Sequence, residues 1–153
     1  MKKYGCIGKK LTHSFSKEIH AKLADYEYEL MELTEEEIAP FFEKKAFAAI
    51  NVTIPYKQTV IPYLYEIHPQ ARAIGAVNTI VNREGRLYGY NTDFYGMCCL
   101  VKRIGIDMRG KTVAILGTGG TSNTAIAVSE ALGASEIVVV GRNAKNGVIT
   151  YEE

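Results

Sequence analysis

Thr112-Val113-Ala114-Ile115-Leu116 runs directly into Gly117-Thr118-Gly119-Gly120-Thr121-Ser122. The first five residues read as a buried strand, and the next six as a glycine turn opening a helix of small residues from Gly117 to Leu132. Glu136 to Val140 is a second apolar strand, so the stretch reads as a βαβ unit. Glycines permit the tight turn and let backbone N–H groups approach an anion at the positive end of the helix dipole. No acidic residue occurs in this helix before Glu130, which leaves its start open to a pyrophosphate. A purely structural strand-to-helix turn fits the same residues, and Ser122 stands where a third glycine is usual.

The end of the second strand sharpens the reading. A dinucleotide site that prefers NAD places a carboxylate there to accept from the ribose 2′-hydroxyl. This chain has Gly141-Arg142-Asn143 instead. A guanidinium without a carboxylate suits a 2′-phosphate, through a charge-assisted bidentate pair, so the cofactor expected is NADP. The alternative is a solvated arginine after a strand.

Upstream, Gly105 to Lys111 is short, polar and contains two glycines, and a domain boundary is expected there. Before it, Tyr4 to Gly8, Tyr28 to Leu33 and Ala48 to Thr53 read as strands. A helix with Ile19, Leu23 and Tyr26 near one face follows the first of them. Thr34 and Glu37 form a capping box for a helix running through Phe42. Pro55 suits the first turn of a short helix. Val77 to Val81 and Arg86 to Tyr90 form a hairpin across Asn82 to Gly85, with Gly85 left-handed. Asp93 to Ile104 reads as a helix with Phe94, Met97, Cys98 and Val101 on its apolar face, stopped by Gly105.

Composition narrows the function classes. Of 153 residues, 47% are apolar and 23% charged, and 18 basic against 17 acidic side chains leave a formal charge of +1. That balance provides no electrostatic footprint for nucleic acid or an anionic membrane. The longest apolar runs, Val113 to Leu116 and Ile137 to Val140, are far below the roughly 20 residues of a spanning helix. The N-terminal apolar patch is too short for a signal peptide, so a cytoplasmic protein is expected. Cys6, Cys98 and Cys99 are odd in number and suit buried thiols, not a disulfide framework. His13 and His20 lack a ligand at metal-binding spacing, so no metal is assigned.

Three polar segments fall at or just after strand ends: His13-Ser14-Phe15-Ser16, Asn51-Val52-Thr53-Ile54-Pro55-Tyr56-Lys57 and Gly89-Tyr90-Asn91-Thr92-Asp93. In open α/β sheets ligands bind at that edge. Their hydroxyls, amides, one ammonium and one carboxylate suit a small polyhydroxylated acid. With Gly75-Ala76-Val77-Asn78-Thr79 between them and the glycine turn after them, these segments closely resemble the shikimate dehydrogenases, from about Tyr4 to Asn143. The resemblance implies reversible, NADPH-dependent reduction of 3-dehydroshikimate to shikimate, in the route to aromatic amino acids. By position, Ser14 and Ser16 resemble the pair that holds the substrate carboxylate. Thr53, Asn78 and Asp93 resemble the residues on the ring hydroxyls, and Lys57 the catalytic lysine. Proton exchange with a ketone oxygen makes Lys57 and Asp93 the expected pair, with the formal acid open between them. Gly117, Thr118, Gly119, Gly120, Thr121 and Ser122 resemble the pyrophosphate loop, and Arg142 the 2′-phosphate contact. Lys17, where a proline is usual, and Lys9-Lys10, in place of an Asn-Pro type pair, depart from the pattern.

The same residues have plainer readings. Ser14 or Ser16 could cap the helix starting near Lys17, Asp93 could cap the helix to Ile104, and Lys57 could be a solvated lysine. The architecture expected is α/β: a mixed-sheet substrate-binding domain over residues 1–105, then the opening βαβ unit of a Rossmann-type dinucleotide domain over 106–153. With two strands of that domain written, the chain reads as an N-terminal fragment, with an open edge at Val113 and Ile115 that invites self-association. A non-catalytic shikimate-binding fragment and a quinate enzyme using NAD are the competing expectations. The two serines and Arg142 count against the latter.

Overall fold

The computed structural model describes residues 3–143 and 147–152. The chain divides into two compact units, Met1–Asn91 and Thr92–Glu153.

The first unit contains β1 (Lys3–Gly8), α1 (Ser16–Leu23), β2 (Tyr28–Glu32), α2 (Glu35–Lys44), β3 (Phe47–Val52), a single 3-10 turn at Ile61–Tyr63, β4 (Glu66–Ile67), α3 (Pro69–Ile74), β5 (Thr79–Arg83) and β6 (Arg86–Tyr90). The sheet order is β2-β1-β3-β5-β6-β4. β1 runs parallel to β2 and β3, while β5 is antiparallel to β3 and β6, so the sheet is mixed. The period of two along each strand sorts side chains onto its faces. Ile7, Ile50 and Val52 join one core with Ile38 and Phe42 of α2, both 1% exposed. Cys6, one residue from Ile7, joins a smaller cluster with Leu11 and Tyr28.

Local chemistry explains the connections. The Thr34–Glu37 capping box opens α2, with the Thr34 N–H donating to Glu37 Oε2 at 2.8 Å. The β5–β6 turn puts both Glu84 and Gly85 at positive φ, 53° and 84°, as the primed hairpin turn requires. Asn82 Oδ1 accepts from the Gly85 N–H at 2.8 Å, and Asn82 Nδ2 donates to Lys45 O and Phe47 O at 2.9 Å each.

Two expectations for this unit differ from what is found. Ile19 and Leu23 are exposed, and the face of α1 turned from solvent carries Ser16 and His20 instead. Tyr26 lies beyond the helix, which stops at an extended Ala24. Residues 54–60 form a run of turns in place of a short helix after Pro55. The buried Tyr56 anchors that run, donating its phenol to Leu33 O at 2.6 Å.

The second unit contains α4 (Asp93–Arg103), β7 (Thr112–Leu116), α5 (Ser122–Ala131), β8 (Glu136–Gly141) and β9 (Val148–Thr150). Its sheet is parallel throughout, in the order β7-β8-β9. α4 packs against α5, which is why the units part at Asn91 and not within Gly105 to Lys111. Phe94, Met97, Cys98 and Val101 form the more buried face of α4, as their spacing predicts. The helix after the glycine turn begins at Ser122, since residues 117–121 stay non-helical. A third strand, β9, stands where only two were expected. Its link from β8 is far shorter than a usual parallel crossover. It suffices because β9 returns only to the level of Val139, which pairs with Val148. Residues 144–146 of that link lie outside the described residues.

Candidate functional site

In the first unit the polar residues gather at the carboxyl ends of β1 and β3. A Cβ at Gly8 would lie 2.7 Å from Thr53 Cγ2 and 2.9 Å from Leu11 Cδ2, so only glycine lets the segment after β1 approach Thr53 this closely. The Leu11 N–H donates to Glu32 Oε1 at 2.7 Å and ties that segment to the end of β2. A cavity of about 520 Å³ opens there, lined by Cys6, Lys10, His13, Ser14, Ser16 and Thr53 among others. Burial pushes the Cys6 thiol pKa up, and the Lys57 ammonium pulls it the other way.

Ser14 lines the cavity, and its Oγ accepts from the Ser16 N–H at 3.3 Å just before α1, whose N-cap is Phe15, so neither serine is the cap. Burial raises the Tyr28 pKa well above its ordinary value, the nearby Cys6 adds to this, and the Ser16 hydroxyl opposes it. Tyr28 donates to Asn51 Oδ1 at 2.6 Å, Asn51 Nδ2 donates to Thr79 Oγ1 at 3.2 Å, and Thr79 donates to Asn78 Oδ1 at 3.0 Å. One chain of hydrogen bonds thus joins Tyr28 to Asn78.

Lys57 is half-buried within the turns after β3, where its backbone carbonyl accepts from the Val77 N–H at 2.8 Å. That bond sets the lysine segment against Gly75 to Thr79. Asn78 is buried and its N–H donates to Tyr90 O at 3.0 Å. Asn91, also buried, donates from Nδ2 to Ala76 O at 3.0 Å. Asp93 belongs to the second unit and is the first residue of α4, whose N-cap is Thr92, so it is not itself the cap.

In the second unit the turn at 117–121 lies at the carboxyl ends of β7 and β8. Gly117 has φ 114°, and its N–H donates to Val140 O at 2.7 Å. Nothing lies within 4 Å of where a Cβ would stand at Gly117 or Gly119, so the turn's outer side is open. Ser122, in the third-glycine position, donates from Oγ to Gly119 O at 2.8 Å and closes the turn. A Cβ at Gly141 would come within 3.1 Å of Thr118 Cγ2. The turn therefore rests against the residue preceding Arg142, which is exposed. The first turn of α5 holds no acidic residue. An open amide turn, a helix start and a neighbouring guanidinium fit a phosphorylated dinucleotide. Among the described residues no cluster of three or more His, Cys, Asp or Glu is placed to hold a metal ion, and no helix is long and apolar enough to cross a membrane.

Residues 6–80 match the family described as the shikimate dehydrogenase substrate binding domain. A shikimate dehydrogenase (NADP(+)) of Clostridium perfringens is 40% identical over 151 residues, covering 94% of this chain and 56% of the relative. The chain is similar to shikimate dehydrogenases along nearly all of its length. A crystal structure of shikimate dehydrogenase 1 from Peptoclostridium difficile superposes with a TM-score of 0.89 at 36% identity, over 98% of this chain and 61% of that one. The shikimate 5-dehydrogenase from Thermus thermophilus, solved in complex with NADP(H) and shikimate, gives 0.83 at 31% identity, over 94% and 57%. This chain thus spans just over half the length of these relatives.

Sequence reasoning missed three residues that the geometry brings into the site: Tyr28, which read only as the start of a strand, and Asn51 and Thr79, which stood in the quoted motifs without a role. Their signal lies in strand register, which sets Tyr4 beside Tyr28 and Cys6 beside Asn51.

Proposed function

We infer that this chain supplies the substrate-binding part and the first cofactor-binding part of an NADP-dependent shikimate dehydrogenase, an oxidoreductase that reversibly reduces 3-dehydroshikimate to shikimate. The observation that carries the reading is the cavity lined by Ser14, Ser16 and Thr53 at the carboxyl ends of β1 and β3. In this reading Ser14 and Ser16 donate to the substrate carboxylate. Thr53 and Asn78 hold ring hydroxyls, as does Asp93 by family resemblance.

When bound, NADPH supplies the hydride that reduces the ring ketone. The ketone oxygen gains negative charge as the hydride arrives, and a donor beside it lowers the barrier. Lys57 gives that oxygen a proton from its ammonium. In the reverse direction it takes the proton back from the hydroxyl. The open turn from Gly117 to Ser122 holds the pyrophosphate and Arg142 the 2′-phosphate. Residues 1–91 are the substrate side of this division of labour, and the βαβ unit is the cofactor side.

The three free cysteines suit a reducing, cytoplasmic compartment. β7 lies at the edge of its described sheet and Leu116 is 73% exposed, which supports pairing with a second copy of this unit. Light scattering that rises in apparent mass with concentration tests that pairing, and a constant monomer mass removes it.

Calorimetry with shikimate, followed by NADPH oxidation with 3-dehydroshikimate on the same sample, tests the main reading. Saturable one-site shikimate binding that is lost in Ser16→Ala is the result expected. A chain that binds no shikimate overturns it, while binding without turnover leaves a shikimate-binding module.

A further inference from the structure

α1 carries Ser16 but has no fully buried residue, so something other than a hydrophobic face must fix its position. Its two half-buried side chains, Ser16 and His20, are four residues apart on one helical face, and His20 meets Tyr28. The His20 ring stacks on the Tyr28 ring with centroids 3.9 Å apart and planes at 16°, and His20 Nδ1 hydrogen-bonds the Tyr26 hydroxyl. Tyr28 is thus the seat on which α1 rests.

The other side of the phenol controls an amide. With Oδ1 taken by the Tyr28 proton, the Asn51 carboxamide turns Nδ2 toward Thr79 Oγ1 at 3.2 Å and Asn78 O at 3.5 Å. The opposite flip would set Asn51 Oδ1 against the Asn78 carbonyl, two acceptors facing each other. Thr79, accepting from Asn51, directs its own proton to Asn78 Oδ1 at 3.0 Å. The donor at Tyr28 therefore determines, through two links, which way the Asn78 carboxamide is turned.

We propose that Tyr28 is a positioning residue for substrate recognition: its ring seats α1, the helix that begins at Ser16, through His20, and its phenol, through Asn51 and Thr79, orients Asn78, so that the two sides of the ligand site are ordered together. The ligand roles of Ser16 and Asn78 rest on the shikimate reading above. The hydrogen-bond chain does not.

The test has a ligand-free arm and a ligand arm. In the unliganded chain, the side-chain amide NMR signals of both Asn51 and Asn78 shift in Tyr28→Phe, while the backbone spectrum elsewhere stays native. Thr79→Val shifts Asn78 and Thr79→Ser restores it, which carries the same test should Tyr28→Phe fold poorly. With shikimate, Tyr28→Phe weakens binding about fivefold, the effect of one net hydrogen bond. In an Asn78→Ala background the same change adds less than twofold, because the two lie on one path. Unmoved Asn78 signals in a natively folded Tyr28→Phe, or additive losses in the double variant, overturn the proposal. Failure of the unaltered chain to bind shikimate overturns the functional reading alone, and the ligand-free shifts still decide the chain from Tyr28 to Asn78.

Discussion

The two units build their sites by different means. In the proposed reading residues 3–91 recognise the substrate through side chains, and each stands where strand register, a glycine contact and a covered core put it. Residues 92–143 and 147–152 would recognise the cofactor through backbone amides at a turn, backed by few buried side chains: Val101, Thr124, Val128 and Ser129. An amide site needs only a strand, a left-handed glycine and a helix start, so it forms on a thin scaffold. A side-chain site needs the whole sheet.

The sharpest way to break this comparison is to remove the chemistry from the first unit. In the turnover-competent protein, Lys57→Ala should lower kcat about 10²–10⁴-fold, the usual range for a general acid, while shikimate binding weakens much less. Steady-state rates and calorimetry measure the two effects. A variant keeping more than about a tenth of the rate places the proton donor elsewhere.

Next in size is the difference in scaffold. Phe42 is 1% exposed, with its ring stacked on Tyr63 at 4.9 Å and edge-on to Phe47 at 6.1 Å. Phe42→Ala should cost about 3–5 kcal/mol. Val128→Ala in α5 loses two methyl groups and should cost about 1–2 kcal/mol. Urea midpoints give both values, and equal losses would mean that the second unit is as tightly built as the first.

What the sequence disclosed follows the same division. Features set by neighbouring residues were legible: the glycine turn, the Thr34–Glu37 capping box, the Glu84-Gly85 hairpin turn and the apolar face of α4. Features set by register were not. Nothing near Tyr28 in the sequence announces Asn51, which β1 separates from it in the sheet. α1 was misjudged because Ile19 and Leu23 have helical spacing, whereas His20 docks the helix through a stacking contact with Tyr28 and a hydrogen bond to Tyr26 that hydropathy does not register. β9 escaped because three residues carry too little pattern to separate a strand from a loop.

The cofactor side offers a smaller test. If the turn binds phosphates through backbone amides, discrimination between the two nicotinamide cofactors depends on Arg142. Arg142→Ala should then lower the NADP-over-NAD ratio of kcat/KM roughly ten- to hundredfold, the effect of one charge-assisted contact. Thr118→Ala, which keeps the amide, should leave the ratio unchanged. A ratio unaltered in Arg142→Ala would move selectivity to another group.

The smallest expected effect lies in the capping box of the first unit. The Thr34 backbone N–H, reinforced by its hydroxyl, holds the Glu37 carboxyl below its ordinary pKa. A carboxylate depressed in this way adds stability in full above its unfolded pKa of about 4.3, and loses it as the pH falls through its folded value. Glu35 and Glu36 share the first turn of α2, so Glu37 joins them in favouring the positive helix start only while charged. Gln can make the same capping hydrogen bond without the charge. Glu37→Gln should therefore melt slightly below the unaltered chain at pH 7, and the gap should close as the pH drops below the carboxylate range. A gap of constant size from pH 7 to pH 3 would show that shape alone, and not charge, sets the contribution of this residue to the scaffold on which the side-chain site depends.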